Sequence, residues 1–182
     1  MKLYNAIRLW WKFEGRYYHK DFQNGIKNLI RWFPIIWRDR DWDTSYIWNL
    51  YIQKLKFQSK YIGRENRHTT AKRDAEVMIM CVRLMERIKD DYYGSEFMNY
   101  HESEYNWIDC EHPDVKELDI VELSENYNDY FAKYPLLYKT LLKQYPDEDK
   151  KGIAIRMSWE NHKRAKRILF STMEQSIEKW WD

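Results

Sequence analysis

Two runs of apolar residues at helical spacing, joined by a short polar loop, restrict what this chain can fold into more than any other feature. Ile47, Tyr51, Leu55 and Ile62 recur at steps of four and seven, which places them on one side of a helix. Ala71, Ala75, Met78, Val82 and Met85 repeat at alternating steps of four and three, the spacing of a packing seam. The polar stretch Arg64–His68 between them is long enough only for a reversal, so the pair reads as an antiparallel helical hairpin. Asp43 or Thr44 is placed to cap the first helix by accepting a bond from a free first-turn N–H, and Gly63 to stop it. Thr69 or Thr70 opens the second helix, and Gly94 is expected to end it.

The rest of the chain follows the same pattern. A helix over residues 2–14 ends at Gly15, and another runs from about Asp21 towards Phe33, where Pro34 ends or kinks it. A third runs from about Ser124 to Tyr145 with Pro135 interrupting it, and Pro146 closes that element. The last and longest helix opens at Asp147, with Ile155, Trp159, Ala165, Leu169, Met173, Ile177 and Trp181 on one slowly drifting stripe. Residues 95–123 fit this scheme worst. Ser95–Tyr105 reads as helix, while Trp107–Cys110 and Leu118–Leu123 read as a small hairpin around Pro113. Five glycines and four prolines in 182 residues are too few for an all-β fold of tight turns, and an aromatic content of 18% excludes disorder. The expected fold is all-α: a multi-helix bundle forming one domain over residues 1–182, with an irregular acidic insertion at about 95–123 that can hold a β-hairpin.

Within this scaffold, four of the ten tryptophans fall between Trp32 and Trp48. Large aromatics carry most of the burial energy of cores and interfaces, so Trp37 and Trp42 are expected to be largely buried. Asp39, Asp41 and Asp43 alternate with Arg40 and Trp42. Three carboxylates at that spacing are a conceivable Mg²⁺ set. The neighbouring Arg38 and Arg40 compete for them, so the structural reading is preferred, with Asp43 as a helix cap, Asp39 and Asp41 paired to arginines, and no metal or other cofactor.

The charge is uneven. Residues 1–89 hold 19 Lys/Arg against 9 Asp/Glu, and residues 90–150 hold 5 against 16. Between Asp90 and Asp129 there are thirteen acids and one Lys/Arg, Lys116. Such blocks mark interaction surfaces or pair with each other within a fold. Three readings stay open: the two halves face each other and partly neutralise, the basic N-terminal half meets nucleic acid, or the acidic segment meets a basic groove on a partner, standing in for phosphates. Lys163, Arg164, Lys166 and Arg167 form a basic patch on the last helix, and together with Arg38 and Arg40 they are the candidate phosphate-contacting residues.

Enzymatic signals are weak. Glu86, Asp90 and Asp91 cluster near a helix end, as in Mg²⁺-dependent helical nucleotide hydrolases, but the paired Glu-rich motifs of such enzymes are missing. None of the five histidines joins a metal-binding pair, and no nucleophile elbow or phosphate loop is present. Met78, Met80 and Met85 read as core filler. Cys81 and Cys110 make neither a metal spacing nor a disulfide framework, which points to a reducing cytoplasm. No segment has the ~20 apolar residues of a membrane span, and no signal peptide is recognisable. The aromatic and basic N-terminus could lie at a membrane interface, but packing of Trp10 or Trp11 on the domain is preferred, so no membrane partner is expected.

Trp37-Arg38-Asp39-Arg40-Asp41-Trp42-Asp43, leading into a helix, is similar to a motif of small uncharacterised proteins of tailed bacteriophages. The ending Ile177-Glu178-Lys179-Trp180-Trp181-Asp182 resembles the Trp-Trp-Asp ending of the same group, and the intervening helical hairpin is similar in character. The resemblance implies a phage origin and action inside an infected bacterium. It implies no activity and no catalytic residues. The expected function is therefore non-enzymatic binding to a protein or protein–nucleic-acid complex of nucleic-acid processing or defence. Direct nucleic-acid binding, a Mg²⁺-dependent hydrolase and a virion component are the alternatives.

Overall fold

The computed structural model describes residues 2–66, 68–109 and 115–181. The chain divides into two compact units, Met1–Tyr51 and Ile52–Asp182. Among the described residues the fold is helical with one two-stranded antiparallel sheet, and no helix is long and apolar enough to cross a membrane.

In the first unit, α1 (Lys2–Trp10) runs through a π-helical turn (Trp11–Gly15) directly into α2 (Arg16–Ile36). Gly15 therefore does not stop a helix. It is buried, and a Cβ there would come within 2.6 Å of the Trp11 ring and 2.9 Å of the Trp10 ring. A side chain there would displace the two indoles, which lie over the Gly15 backbone. Pro34 sits inside α2 near its end, and the helix closes two residues later, at Ile36. Trp10 and Trp11 are 49% and 62% exposed, which replaces the expected packing on the domain with an open aromatic surface.

The second unit takes in the later turns of α3 (Ser45–Glu65), where Ile52, Leu55, Ser59 and Ile62 are buried. Ile47 and Tyr51 are exposed instead. The helix passes through Gly63 and ends at Asn66, whose φ of 46° is left-handed. Gly63 has a different use: a Cβ there would sit 3.4 Å from Ala75 Cβ, so it permits close approach to α4 (Ala71–Lys89). With Lys56 paired to Glu86 at 2.6 Å, the two helices run antiparallel as expected. In α4, Ala71, Met78, Cys81, Val82, Met85 and Ile88 are buried, while Met80 is exposed. The break after α4 falls at Asp91, in the left-handed region with φ 48°, and not at Gly94.

Next come α5 (Tyr92–Ser95) and a 3-10 turn (Glu96–Tyr100). β1 (His101–Asp109) and β2 (Lys116–Glu125) then pair, so the expected helix over Ser95–Tyr105 stops where β1 begins. The hairpin is longer than expected and takes Ser124 from the following helix. Cys110 and the Pro113 turn lie outside the described residues. α6 (Tyr127–Lys133) and α7 (Pro135–Gln144) meet at Pro135, which is accepted as a first-turn residue because its missing N–H is not needed there. Asp149, not Asp147, caps α8 (Lys150–Ser176), its side chain accepting from Gly152 N at 2.9 Å.

The core lies where α6, α7 and α8 meet. Tyr127, Tyr130, Phe131, Leu141, Ile153, Ala154 and Met157 are buried together, flanked by Phe97, Tyr100, Tyr134 and Tyr138. The Phe131 and Tyr138 rings stack at 4.2 Å with planes 7° apart. The buried face of α8 is Ile153, Ala154, Met157, Ser158, Asn161, Ala165 and Leu169. Ala165 and Leu169 match the expected stripe, whereas Trp159 and Ile177 are exposed. A 3-10 turn (Ile177–Trp181) ends the described chain and carries Trp180, which is 2% exposed, into the second unit. The Trp180 carbonyl accepts from Gln58 Nε2 at 3.2 Å. The Trp181 side chain and Asp182 lie outside the described residues.

Candidate interaction surface

The hairpin carries a set of exposed apolar side chains. Its sequence explains its form: Tyr105, Trp107 and Leu118, Ile120 alternate with polar residues, the period of a strand. The register sets Tyr105 opposite Ile120 and Trp107 opposite Leu118. These four therefore share one face, and all are exposed. The other face carries Glu104 opposite Val121, Asn106 opposite Asp119 and Ile108 opposite Glu117. A bulge between Glu102 and Ser103 separates this regular stretch from the base.

The two strands hold seven carboxylates and one lysine. Glu122 pairs with Lys151, and Glu125 with Lys150 at 3.3 Å, tying the base to the first turn of α8. Asn126 N donates to Tyr100 O at 2.7 Å and closes the base from within. Near the tip, Asp109 meets Lys116 at 3.4 Å. Among the described residues no cation pairs with Glu104, Glu117 or Asp119. The result is an apolar stripe on one face and, on the other, three carboxylates interspersed with Val121, Asn106 and Ile108. An isolated two-stranded hairpin is marginally stable in water, and its apolar face and both strand edges are open to a partner.

The Trp-rich loop differs from expectation. Trp37 is 72% and Trp42 83% exposed, so neither is buried. The reason is local. Trp37 follows the last turn of α2 and stacks on Phe33 at 5.3 Å, while Trp42 lies in a turn with polar residues on both sides. Asp43 does cap α3: its carboxylate accepts from Ser45 N at 2.8 Å and from the Ser45 hydroxyl at 2.5 Å. Those two bonds, the hydroxyl's first, hold its pKa below the ordinary carboxylate value. Arg40 donates to the Asp39 carbonyl at 2.9 Å and not to a carboxylate. Among the described residues Arg38, Asp39, Arg40 and Asp41 form no ion pair with one another, and no group of three or more His, Cys, Asp or Glu has metal-holding geometry.

Lys163, Arg164, Lys166 and Arg167 are all exposed, on the side of α8 away from its buried face. Lys163 is paired to Glu160 at 2.7 Å. The acids considered for hydrolysis are dispersed: Glu86 pairs with Lys56, Asp90 with Lys89 at 3.6 Å, and Asp91 faces His162 Nδ1 at 3.4 Å.

One buried charged group escaped the sequence reading. Glu96 is 2% exposed; its carboxylate takes a bond from Lys133 Nζ and another, at 2.9 Å, from the Tyr134 hydroxyl. The Glu96 bond raises the Lys133 pKa. Burial first, then the bond to Glu96, raises that of Tyr134. Tyr130 beside it is raised by burial, and its hydroxyl approaches the Asn161 amide without hydrogen-bond geometry. This network joins the 3-10 turn to α6 and serves the core. A Glu ahead of an aromatic run gives no signal of burial by itself, because its partner lies 37 residues away.

Comparison with protein-family models, curated proteins and solved structures gives no match to this chain.

Proposed function

We propose that the protein is a non-enzymatic binding protein whose hairpin docks on a basic, nucleic-acid-handling protein or complex. Following the sequence resemblance, its place of action is the cytoplasm of a phage-infected bacterium. The observation that carries this reading is the make-up of the hairpin, with Glu104, Glu117 and Asp119 on one face and Tyr105, Trp107, Leu118 and Ile120 on the other. Carboxylates steer a basic partner and fix its register, and the exposed aromatics provide the desolvated anchors that dominate binding energy.

The test is affinity capture from nuclease-treated bacterial lysate, comparing wild type with two variants. One carries Glu104→Gln, Glu117→Gln and Asp119→Asn; the other carries Tyr105→Ser and Trp107→Ser. The expected result is a protein held by wild type, displaced by salt and by competing duplex DNA, and lost from both variants. Retention of the same proteins by all three baits removes the reading.

A second reading, direct contact with nucleic acid, is favoured by the exposure of Lys163, Arg164, Lys166 and Arg167 together. It requires a binding constant that falls steeply with salt, and a shallower slope once all four are alanine.

A further inference from the structure

We propose that the continuous helix of residues 2–36 lies flat on an anionic lipid surface. Three observations support this, and each belongs to the first unit alone.

The first is the phase of the apolar stripe. Leu3, Ile7 and Trp10 follow steps of four and three, and Tyr18, Phe22, Ile26, Leu29, Phe33 and Ile36 repeat those steps in α2. In an unbroken α-helix the eight-residue step from Trp10 to Tyr18 would swing the stripe by about 80°, at about 100° per residue. The π turn Trp11–Gly15 absorbs one residue, which leaves about 20°. The stripe therefore runs straight along a helix roughly 52 Å long, at ~1.5 Å per residue.

The second is the opposite side. Arg8, Lys12, Lys20, Lys27 and Arg31 fall on a line about half a turn from the stripe, in phase across the same π turn. Residues 2–36 hold seven Lys/Arg against two acids. Cationic copies of this helix repel each other, whereas an anionic headgroup layer attracts all of them.

The third is the make-up of the exposed apolar side. Every member of the stripe is at least 43% exposed. Trp10 and Trp11, flanked by Tyr4 and Tyr18, are the amphipathic rings that settle at the headgroup boundary. A basic polar face opposite Trp, Phe and Leu on a helix of low mean hydropathy is the pattern of an interfacial helix. The expectation of no membrane partner rests on packing of Trp10 or Trp11 on the domain, and both rings are exposed instead.

The experiment is co-sedimentation of the full chain with phosphatidylcholine vesicles and with vesicles holding about 30% phosphatidylglycerol. Binding to the anionic vesicles is expected, weakening at least tenfold between 50 mM and 500 mM salt. Phe22→Glu with Leu29→Glu should lower partitioning at least tenfold. Lys20→Glu with Lys27→Glu should lower it comparably, on anionic vesicles only. All four positions are exposed, so unchanged circular dichroism serves as the folding control. No binding at low salt overturns the proposal, as does equal binding by Phe22→Glu/Leu29→Glu. Self-association lost in that variant, with no lipid binding, overturns it in favour of a second copy as occupant. Lysate capture by the hairpin variants is read separately, so neither result decides the other.

Discussion

Trp180 and Trp42 both belong to short Trp-containing motifs, yet the structure gives them opposite thermodynamic weight. Trp180 is 2% exposed and Trp42 is 83% exposed. A buried indole removes about 200 Å² from water, worth about 5 kcal/mol at ~25 cal/mol per Å². Large-to-small changes of this kind cost about 3–5 kcal/mol, so Trp180→Ala should destabilise by an amount in that range. For a chain of this size each kcal/mol moves the Tm by about 2–4 °C, which gives a fall of roughly 6–20 °C. Trp42→Ala should stay within about 0.5 kcal/mol, as surface substitutions do, with a Tm shift under about 2 °C. Differential scanning calorimetry of both variants beside wild type decides the matter. Equal shifts, or a larger one for Trp42→Ala, would refute the assignment of the C-terminal turn to the second unit's interior.

Two further outcomes follow from the core. Gly63 is helical and its Cβ position lies 3.4 Å from Ala75; Gly63→Ala should therefore raise stability by about 0.5–1 kcal/mol, while Gly63→Leu should lower it, both measurable by urea denaturation. Tyr130 and Tyr134 have raised pKa values, so their contribution is complete below the unfolded-state value of about 10 and is lost as pH rises above it. Urea midpoints measured from pH 8 to 11 should fall above pH 10, and less steeply in Tyr130→Phe.

Helix periodicity made most of the second unit legible. Met78, Val82 and Met85 are buried as their spacing implies, and Pro135 falls between two helices. Glycine misleads in three places, because Gly15, Gly63 and Gly94 have the spacing of helix stops and instead lie within helical segments. Gly15 and Gly63 instead allow close approach by an indole pair and by a neighbouring helix, a role that depends on tertiary packing. The actual breaks use Asn66 and Asp91, non-glycine residues in the left-handed region. The tryptophans failed for another reason: aromatic density says that a surface is valuable, not which side of it is covered. Trp37 and Trp42 fit a core by composition and are exposed. The hairpin was visible in the alternation of Leu118 and Ile120 with acids. Its length was not, since Glu102 and Glu104 suit a helix as well as a strand edge.

The ties of the hairpin have an evolutionary consequence. Glu122 and Glu125 meet α8 at the base, and the strand residues beyond them are exposed on both faces. Substitutions at Glu104, Trp107, Asp119 or Ile120 leave the aromatic interior untouched, and alternate positions can change one face while preserving the other. Such an element can follow a partner that alters its own surface, or be lengthened by pairs of residues, without the rest of the chain having to be re-selected for folding. The hairpin beyond its base is thus free to diverge faster than the aromatic core.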